Sequence, residues 1–272
     1  MAADGQHSPP PFVGRLRRAQ QISHELRGAI NEWATPSPVA LKAHIAEDRL
    51  AVTVSIEVTK APQLDKWAYM FGEAVHQIRA ALDNYLVSLA KESGITNHKR
   101  IKRIQFSIAS SAKEWADNAS RIADLPGWAR ERIEQVQPFQ RGASPEALEG
   151  DLLVLLRDLS NQDKHQARVI TGLTPMELGQ MAQIEFETEE GATASVPPDV
   201  TIHVPSFETG GLFFEQRTKG RIAKVQGRLD FRLQVHIVMP DGKLIEISTM
   251  LASLGQYTEM VLAHISDGQP KG

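Results

Sequence analysis

The chain lacks cysteine altogether, although it has 272 residues. Disulfides, thiolate zinc sites and cysteine nucleophiles are therefore excluded, and only histidines and carboxylates are left as strong metal ligands. Aromatic residues make up only 6% of the chain. The tryptophans among them are not spaced as a repeating set, which favours ordinary packing over a platform for stacking bases.

Long apolar runs are also missing. No stretch is apolar for about 18 residues, and the first residues, Met1 to Pro11, lack the basic start and apolar run of a secretion signal. We therefore expect a cytoplasmic protein that makes no membrane contact. The Walker loop, the Gly-x-Gly-x-x-Gly fingerprint, the Gly-x-Ser-x-Gly elbow and the His-Glu-x-x-His zinc motif are absent, so the corresponding enzyme classes lack support.

The chain also has little net charge. A formal value of -3 is too small to argue for capture of nucleic acid over the whole surface, although a local patch can still bind it. The densest basic patch is the run His-Lys-Arg-Ile-Lys-Arg at residues 98–103. Such a run is more often a solvated face, and contact with phosphate is the alternative.

The patterns that are present predict an α+β fold. Apolar residues three and four apart predict a helix from Leu16 to Trp33 and a central helix from Leu64 to Glu92. Alternation of apolar and polar residues predicts a β-hairpin from Val39 to Val58. The predicted segments are a disordered tail at 1–14, an N-terminal helix, β-hairpin and helical core at 15–172, an antiparallel β-region with a closing helix at 173–265, and a disordered tail at 266–272.

The remaining elements follow from the same patterns and from helix-start signals. The predicted helices are Ala112 to Ser120, Pro126 to Gln137, a helix opened by Ser144-Pro145-Glu146 that continues past His165, and Met250 to Ile265. The predicted strands are Ile104 to Ile108, Ile184 to Thr188, Val200 to Val204, Leu212 to Arg217, Leu229 to Ile237 and Leu244 to Ile247. The sequence leaves open whether the hairpin and the later strands join one sheet.

Two sets of polar residues interrupt the apolar helices. His76, Arg79 and Asp83 lie at positions i, i+3 and i+7 of the central helix and therefore share one stripe of its surface. In the later helix, Asn161 and His165 lie one turn apart. A polar end on an otherwise apolar, buried helix needs a polar partner or a pocket.

We therefore expect the two helices to pack together around one site. The candidate residues of this site are His76, Arg79, Asp83, Asn161, Lys164 and His165.

Such a site supports three interpretations. In an acid–base site a histidine transfers protons, Arg79 and Lys164 stabilise a phosphate, and Asp83 or Asp163 fixes the histidine tautomer. In a structural network the same groups only fix the register of the helices.

A metal site would use His76 and His165 with Asp83 or Asp163. The neighbouring Arg79 and Lys164 would repel the cation, so we expect neither a metal nor a cofactor.

Three blocks carry a resemblance to known sequences. They are Gly72 to Asp83, the run IEQVQPF at 133–139, and Leu155 to His165, and together they resemble a recurring family of uncharacterised bacterial and phage proteins over Trp67 to Arg168. This resemblance identifies the residues of interest without implying an activity.

The helical part also resembles HEPN domains, which are all-helical modules. Many of these are metal-independent ribonucleases that act as dimers with an Arg-x(4–6)-His motif. The resemblance implies RNA as the partner and a homodimer. The chain departs from the motif, because seven residues separate Arg157 from His165, which leaves the two about 80° apart on a helix. We conjecture that Arg79 replaces the missing guanidinium from the other helix.

The leading hypothesis is a HEPN-like RNA-binding or metal-independent ribonuclease-type protein that uses the polar site between the two helices. The alternative is a non-enzymatic interaction or regulatory protein, encoded by a phage or its host. In that case the buried polar network is structural and the β-region contacts a protein partner.

Overall fold

The fold is α+β. A computed structural model describes residues 10–35, 38–142, 144, 148–164, 170–178, 183–203, 210–226, 231–239 and 242–269. Its helices are α1 (Pro11–Ala34), α2 (Leu64–Glu92), α3 (His98–Ile101), α4 (Ala112–Asn118), α5 (Gly127–Gln135), α6 (Leu152–Lys164), α7 (Glu189–Ala194) and α8 (Ile247–Ser266). Its strands are β1 (Val39–Ile45), β2 (Ala51–Val58), β3 (Ile170–Leu178), β4 (Gln183–Phe186), β5 (Asp199–Ile202), β6 (Leu212–Arg217), β7 (Ile222–Gln226), β8 (Phe231–Val238) and β9 (Leu244–Glu246).

The chain forms two compact units, each assembled from separate stretches of sequence. The first unit comprises Met1–Gly28, Asp65–Thr171 and Ile237–Gly272, and the second comprises Ala29–Leu64 and Gly172–His236. The first unit thus contains both the predicted helical core and the predicted closing helix, while the predicted hairpin belongs to the second. Of the tails predicted at 1–14 and 266–272, residues 1–9 and 270–272 lie outside the described residues, whereas residues 11–14 belong to α1 and Ser266 ends α8.

The second unit contains an antiparallel sheet with the strand order β1-β2-β6-β5. The hairpin pairs Val39 with Val58, and β2 then pairs with β6, so that Val54 lies opposite Phe214. The N-terminal hairpin and the later strands therefore form one sheet, which the sequence had left open. Its alternating pattern buries Val52, Val54 and Ile56 on one face.

Two smaller sheets complete the strand pairing. Strands β4 and β7 pair as an antiparallel ribbon in the second unit, and a three-stranded sheet has the order β3-β8-β9. Strands β3 and β7 and the short helix α7 were not predicted from the sequence.

The core of the first unit is built around α2, which has 29 residues. Apolar residues lie on more than half of its circumference, and Trp67, Phe71 and Leu82 are fully buried. Helix α8 buries Leu251 and Leu254 in the same unit. Within the described parts of the chain, no helix is long and apolar enough to cross a membrane.

Two predicted elements differ from the structure. The predicted helix from Ser144 is interrupted at Gly150 and Asp151, where the Asp151 carboxylate accepts hydrogen bonds from the N–H groups of Leu153 (2.9 Å) and Val154 (3.4 Å) and starts α6. Residues 145–147 lie outside the described part. The predicted strand from Ile104 to Ile108 is not a strand in the structure and has no partner strand among the described residues. Side chains, rather than a neighbouring strand, pair with its backbone.

Candidate functional site

The polar stripe of α2 changes character along its length. His76 is exposed, Arg79 is 8% exposed and Asp83 is half-buried. The spacing of three and four residues places these side chains along one side of the helix, as predicted. Only the His76 end of this stripe faces solvent, and Arg79 lies in the core. Arg79 and Asp83 therefore have protein partners that His76 lacks among the described residues.

Arg79 and Asp83 both bind the backbone of Phe106. The Arg79 guanidinium donates a hydrogen bond to the carbonyl oxygen of Phe106. An Asp83 carboxylate oxygen accepts a hydrogen bond from the N–H of the same residue at 2.8 Å. The two side chains also form an ion pair, with 3.7 Å between Arg79 Nη2 and Asp83 Oδ1. The N–H and C=O groups of the buried Phe106 are thus both hydrogen-bonded by side chains from one turn of α2.

Phe106 belongs to a stretch of residues without regular secondary structure, which we call the 104–110 segment. Side chains from other parts of the chain hold the rest of it. Arg157 of α6 donates through Nη1 to the Ser110 hydroxyl at 2.9 Å and to the Ile108 carbonyl at 3.5 Å. Gln137 is fully buried, accepts from Ala109 N–H at 2.9 Å and donates to the Ile133 carbonyl at 3.0 Å.

The start of α4 supplies the last of these contacts. Ser111 caps α4 by accepting a hydrogen bond from Glu114 N–H at 3.1 Å, and the Glu114 carboxylate accepts from Ser110 N–H at 2.8 Å. This is a close variant of the reciprocal capping box.

The burial of its side chains explains why the 104–110 segment needs these contacts. Ile104, Phe106 and Ile108 are buried, and Phe106 is 0% exposed. A buried backbone must have its N–H and C=O groups paired. No strand supplies a ladder within the described residues, so carboxylate, amide and guanidinium groups from α2, α4, α6 and the turn after α5 replace it.

Burial lowers the pKa of the Arg79 guanidinium. The Asp83 carboxylate acts in the opposite direction, while the positive charges of Arg121 and Arg157 add to the lowering. An arginine stays protonated under such shifts because its unperturbed pKa is so high. Arg79 is therefore a buried cation, and Asp83 is the carboxylate paired with it.

The buried network leaves two polar atoms unsatisfied. Arg79 Nη1 and the Ser107 hydroxyl are inaccessible and have no hydrogen-bond partner in the described structure. The guanidinium uses Nη2 for its contacts with Phe106 and Asp83. Because Nη2 is occupied by these contacts and Nη1 is inaccessible, a substrate in solution cannot reach the guanidinium of Arg79.

The end of α6 holds the second predicted set. Asn161 is exposed, one turn beyond Arg157. The side chain of Lys164 and the whole of His165 lie outside the described residues, as does the side chain of Asp163. The predicted meeting of His76 with His165 therefore stays a prediction. What the structure shows is that α2 and α6 both contact the 104–110 segment through Arg79, Asp83 and Arg157.

A dense group of cations lies around α3, and we call it the cationic face. It consists of Lys99, Arg100, Lys102, Arg103 and Arg121, all of which are exposed. Helix α3 is started by Asn97, whose side chain accepts hydrogen bonds from the N–H groups of Lys99 (3.0 Å) and Arg100 (3.3 Å). The cap fixes the backbone from which these side chains extend.

The cationic face contains one paired carboxylate, Asp124. Arg100 donates two hydrogen bonds to it, and these lower the pKa of Asp124, as does the charge of Arg103. Arg121 is held beside Gln105 by a hydrogen bond to its side-chain oxygen. Lys99 and Lys102 have no ion-pair or hydrogen-bond partner in the described part of the chain for their ammonium groups.

Sequence reasoning did not identify Gln137 or Glu114 as partners of the 104–110 segment, and it considered Arg157 only as the arginine of the HEPN-like motif. Gln137 lies within the IEQVQPF block and Arg157 within the Leu155 to His165 block, so the resemblance pointed to their neighbourhood. Glu114 gave the only direct signal, because a serine followed three residues later by a glutamate marks a capped helix start.

No group of three histidine, aspartate or glutamate side chains in the described residues could hold a metal ion. Comparison of the chain with protein-family models, with curated proteins and with solved structures finds no match. The function therefore has to be argued from the site itself.

Proposed function

We propose that this protein binds RNA and that the cationic face makes the contact with the phosphate backbone. The supporting observation is the local charge: five exposed cations lie together in a chain of net charge -3, and among the described residues Asp124 is the one carboxylate that forms an ion pair with any of them. Exposed lysines and arginines without partners bind phosphates and release the counterions condensed on a nucleic acid. RNA is the nucleic acid that the resemblance to HEPN domains favours.

In this proposal Arg79 and Asp83 are structural. Their hydrogen-bonding groups are directed at Phe106, and the segment they hold continues directly from Arg103 and includes Gln105, the partner of Arg121. They thus support the backbone that carries the cationic face. Cleavage, if the protein performs it, is assigned to the exposed His76 and to the end of α6 with Asn161, Lys164 and His165.

Binding is tested by fluorescence anisotropy with a fluorescein-labelled single-stranded RNA. The face variant combines Lys99→Gln, Lys102→Gln and Arg103→Gln. We expect it to bind at least about tenfold more weakly than the wild type, because each lost phosphate contact weakens an electrostatic complex.

The matched control combines Arg17→Gln, Lys66→Gln and Lys91→Gln, which removes the same charge from exposed positions on α1 and α2. The control should bind within about twofold of the wild type. An equal loss in both variants, or a wild type that does not bind the RNA, would contradict the proposal.

Cleavage is tested separately with total RNA. We propose that any cleavage is lost in His165→Ala while the thermal unfolding of that variant stays unchanged. Arg79→Ala should lose both cleavage and stability, since it removes a buried contact. Cleavage that survives in His165→Ala would exclude this histidine from the chemistry.

A second candidate function is a non-enzymatic interaction or regulatory protein. The buried contacts of Arg79, Asp83 and Gln137 favour it, because all three satisfy backbone groups and none points to a substrate. In that case the wild type neither binds nor cleaves RNA, and only the stability effects of the network variants remain.

A further inference from the structure

A pocket lies among α1, α2 and α8, and no residue of the 104–110 segment lines it. Its volume is about 280 Å³. Its apolar lining consists of the buried Ala19, Ile78 and Leu251, the partly buried Leu16 and Gly255, and the exposed Ala252. The polar rim is formed by Gln20, Ser23, His24, Arg27, Gln256 and Glu259.

Small residues keep this pocket open. A Cβ atom added to Gly255 would have no neighbour within 4 Å, so no close backbone approach requires a glycine there. A glycine in the interior of a helix destabilises it by roughly 1 kcal/mol relative to alanine. Together with Ala19 and Ala252, Gly255 leaves space above Ile78 that larger side chains would fill.

The rim is polar and largely unpartnered. Gln20, Ser23, His24 and Arg27 lie on one face of α1 because they are three and four residues apart. Among the described residues, the side chains of Ser23, His24, Arg27 and Gln256 have no hydrogen-bond or ion-pair partner. Gln20 is the exception, since its amide donates to the Glu259 carboxylate at 3.0 Å.

The charges on the rim are separated. Arg27 lies seven residues beyond Gln20, which is about 10 Å along the helix. The end of the pocket near Arg27 and His24 is therefore electropositive, whereas the negative charge of Glu259 lies at the other end, where it is bonded to Gln20. An anionic head group fits only the Arg27 end.

We propose that this pocket binds a small organic anion, with a carboxylate or phosphate head on Arg27 and Ser23 and a short apolar body over Ile78 and Gly255. A volume of about 280 Å³ lies near the lower end of the range for ligand pockets, roughly 300 Å³, so the ligand is a small molecule. An arginine binds either head group through two parallel hydrogen bonds. The site is independent of the cationic face.

The test is isothermal titration calorimetry with benzoate, phenyl phosphate and the neutral benzyl alcohol. Comparison of the first two identifies the preferred head group. We expect one of the anions to bind at least about tenfold more tightly than benzyl alcohol, because a charge-assisted hydrogen bond is stronger than a neutral one. Equal binding of all three probes, or binding of none, overturns the proposal.

Two variants locate the site. Gly255→Leu fills the pocket with a better helix former and should abolish binding, and Arg27→Ala should weaken binding of the anion about tenfold. The control for Gly255→Leu is Gly28→Leu, because Gly28 is an exposed glycine of α1 with open space around it. The control for Arg27→Ala is Arg17→Ala, which removes an exposed arginine from the same helix.

The controls should bind within about twofold of the wild type. Binding that persists in Gly255→Leu places the anion elsewhere and overturns the assignment. If circular dichroism shows that this variant does not fold, Gly255→Ala replaces it and should weaken binding in the same direction.

Discussion

Arg79 and Asp83 show how a single turn of helix can replace a β-ladder for one residue. Phe106 is completely buried, so its N–H and C=O groups have no access to water. Asp83 accepts from the first group and Arg79 donates to the second. Since the ion pair between the two side chains is part of the same contact, removing either partner leaves a buried polar group unpaired.

We predict that Arg79→Ala lowers the free energy of unfolding by about 2–4 kcal/mol, because it leaves the Phe106 carbonyl and the Asp83 carboxylate without their donor. Asp83→Asn keeps an acceptor for Phe106 N–H but removes the negative charge that is paired with the buried Arg79, and it should cost about 1–3 kcal/mol. Urea unfolding measures both. Arg17→Ala on the exposed face of α1 is the control and should change stability by less than about 0.5 kcal/mol. A loss in Arg79→Ala no larger than in this control would show that the contact does not stabilise the fold.

The sequence predicted the helical stripe of Arg79 and Asp83 but not its partner. Spacing along a helix is local information, and it correctly indicated that the two side chains lie on one face. The bonds to Phe106 span 23 and 27 residues, and the fully buried Gln137 lies 28 residues from Ala109. Such pairs depend on the tertiary fold, so a single sequence does not reveal them.

At the scale of whole elements, alternation predicted strands well where a partner strand was available. Ala51–Val58 follows the pattern of one buried face, whereas Leu212–Arg217 forms the predicted strand but buries the adjacent Phe213 and Phe214, and its register with β2 shifts between Val54 and Ser55. The strand predicted at 104–108 was wrong, because Phe106, Ser107 and Ile108 are all buried and side chains rather than a neighbouring strand pair with their backbone. Strand β3 escaped prediction because it contains Gly172 and Pro175, and proline is tolerated in strands mainly at sheet edges.

Helix α8 begins with a carboxylate cap that responds to pH. Glu246 accepts hydrogen bonds from Ser248 N–H at 2.9 Å, from Thr249 N–H at 2.6 Å and from the Thr249 hydroxyl at 2.7 Å. Burial by itself would raise the pKa of Glu246, but these hydrogen bonds outweigh it and the pKa is lowered. A lowered pKa means that the cap stabilises the fold fully above the unfolded value, about 4.3, and that this stabilisation is lost as the pH falls through the folded value.

We predict that Glu246→Gln lowers the free energy of unfolding by about 1 kcal/mol at pH 7. The difference between wild type and variant should shrink as the pH is lowered below about 4.3, since protonation removes the charged acceptor from the wild type as well. Urea unfolding at a series of pH values measures it. Thr249→Val removes one of the three hydrogen bonds and should give a smaller effect of the same sign. A difference that stays constant down to pH 3 would show that the charge of Glu246 does not contribute.

On the scale of the whole molecule, charge is distributed unevenly. The chain carries 33 acidic and 30 basic side chains, so long-range attraction to a polyanion is weak and any binding of RNA has to be local. The sequence located the basic run but favoured a solvated face, because charge density alone does not distinguish the two. The proposal of a binding surface rests on three further observations among the described residues, namely the Asn97 cap, the ion pairing of Asp124 with Arg100 alone, and the absence of a partner for Lys99 and Lys102.

This local binding predicts a specific dependence on salt. If Lys99, Lys102, Arg103 and Arg121 each contact one phosphate, the plot of log K against log salt should have a slope of about -2.8 for a single strand, which corresponds to roughly fiftyfold weaker binding at 200 mM than at 50 mM salt. The face variant retains one of these four cations, and its slope should fall to about -0.7. Anisotropy titrations at several salt concentrations give both slopes. If the slopes of the wild type and the face variant are equal, the phosphates are bound elsewhere on the molecule, and Lys99, Lys102 and Arg103 are only solvated.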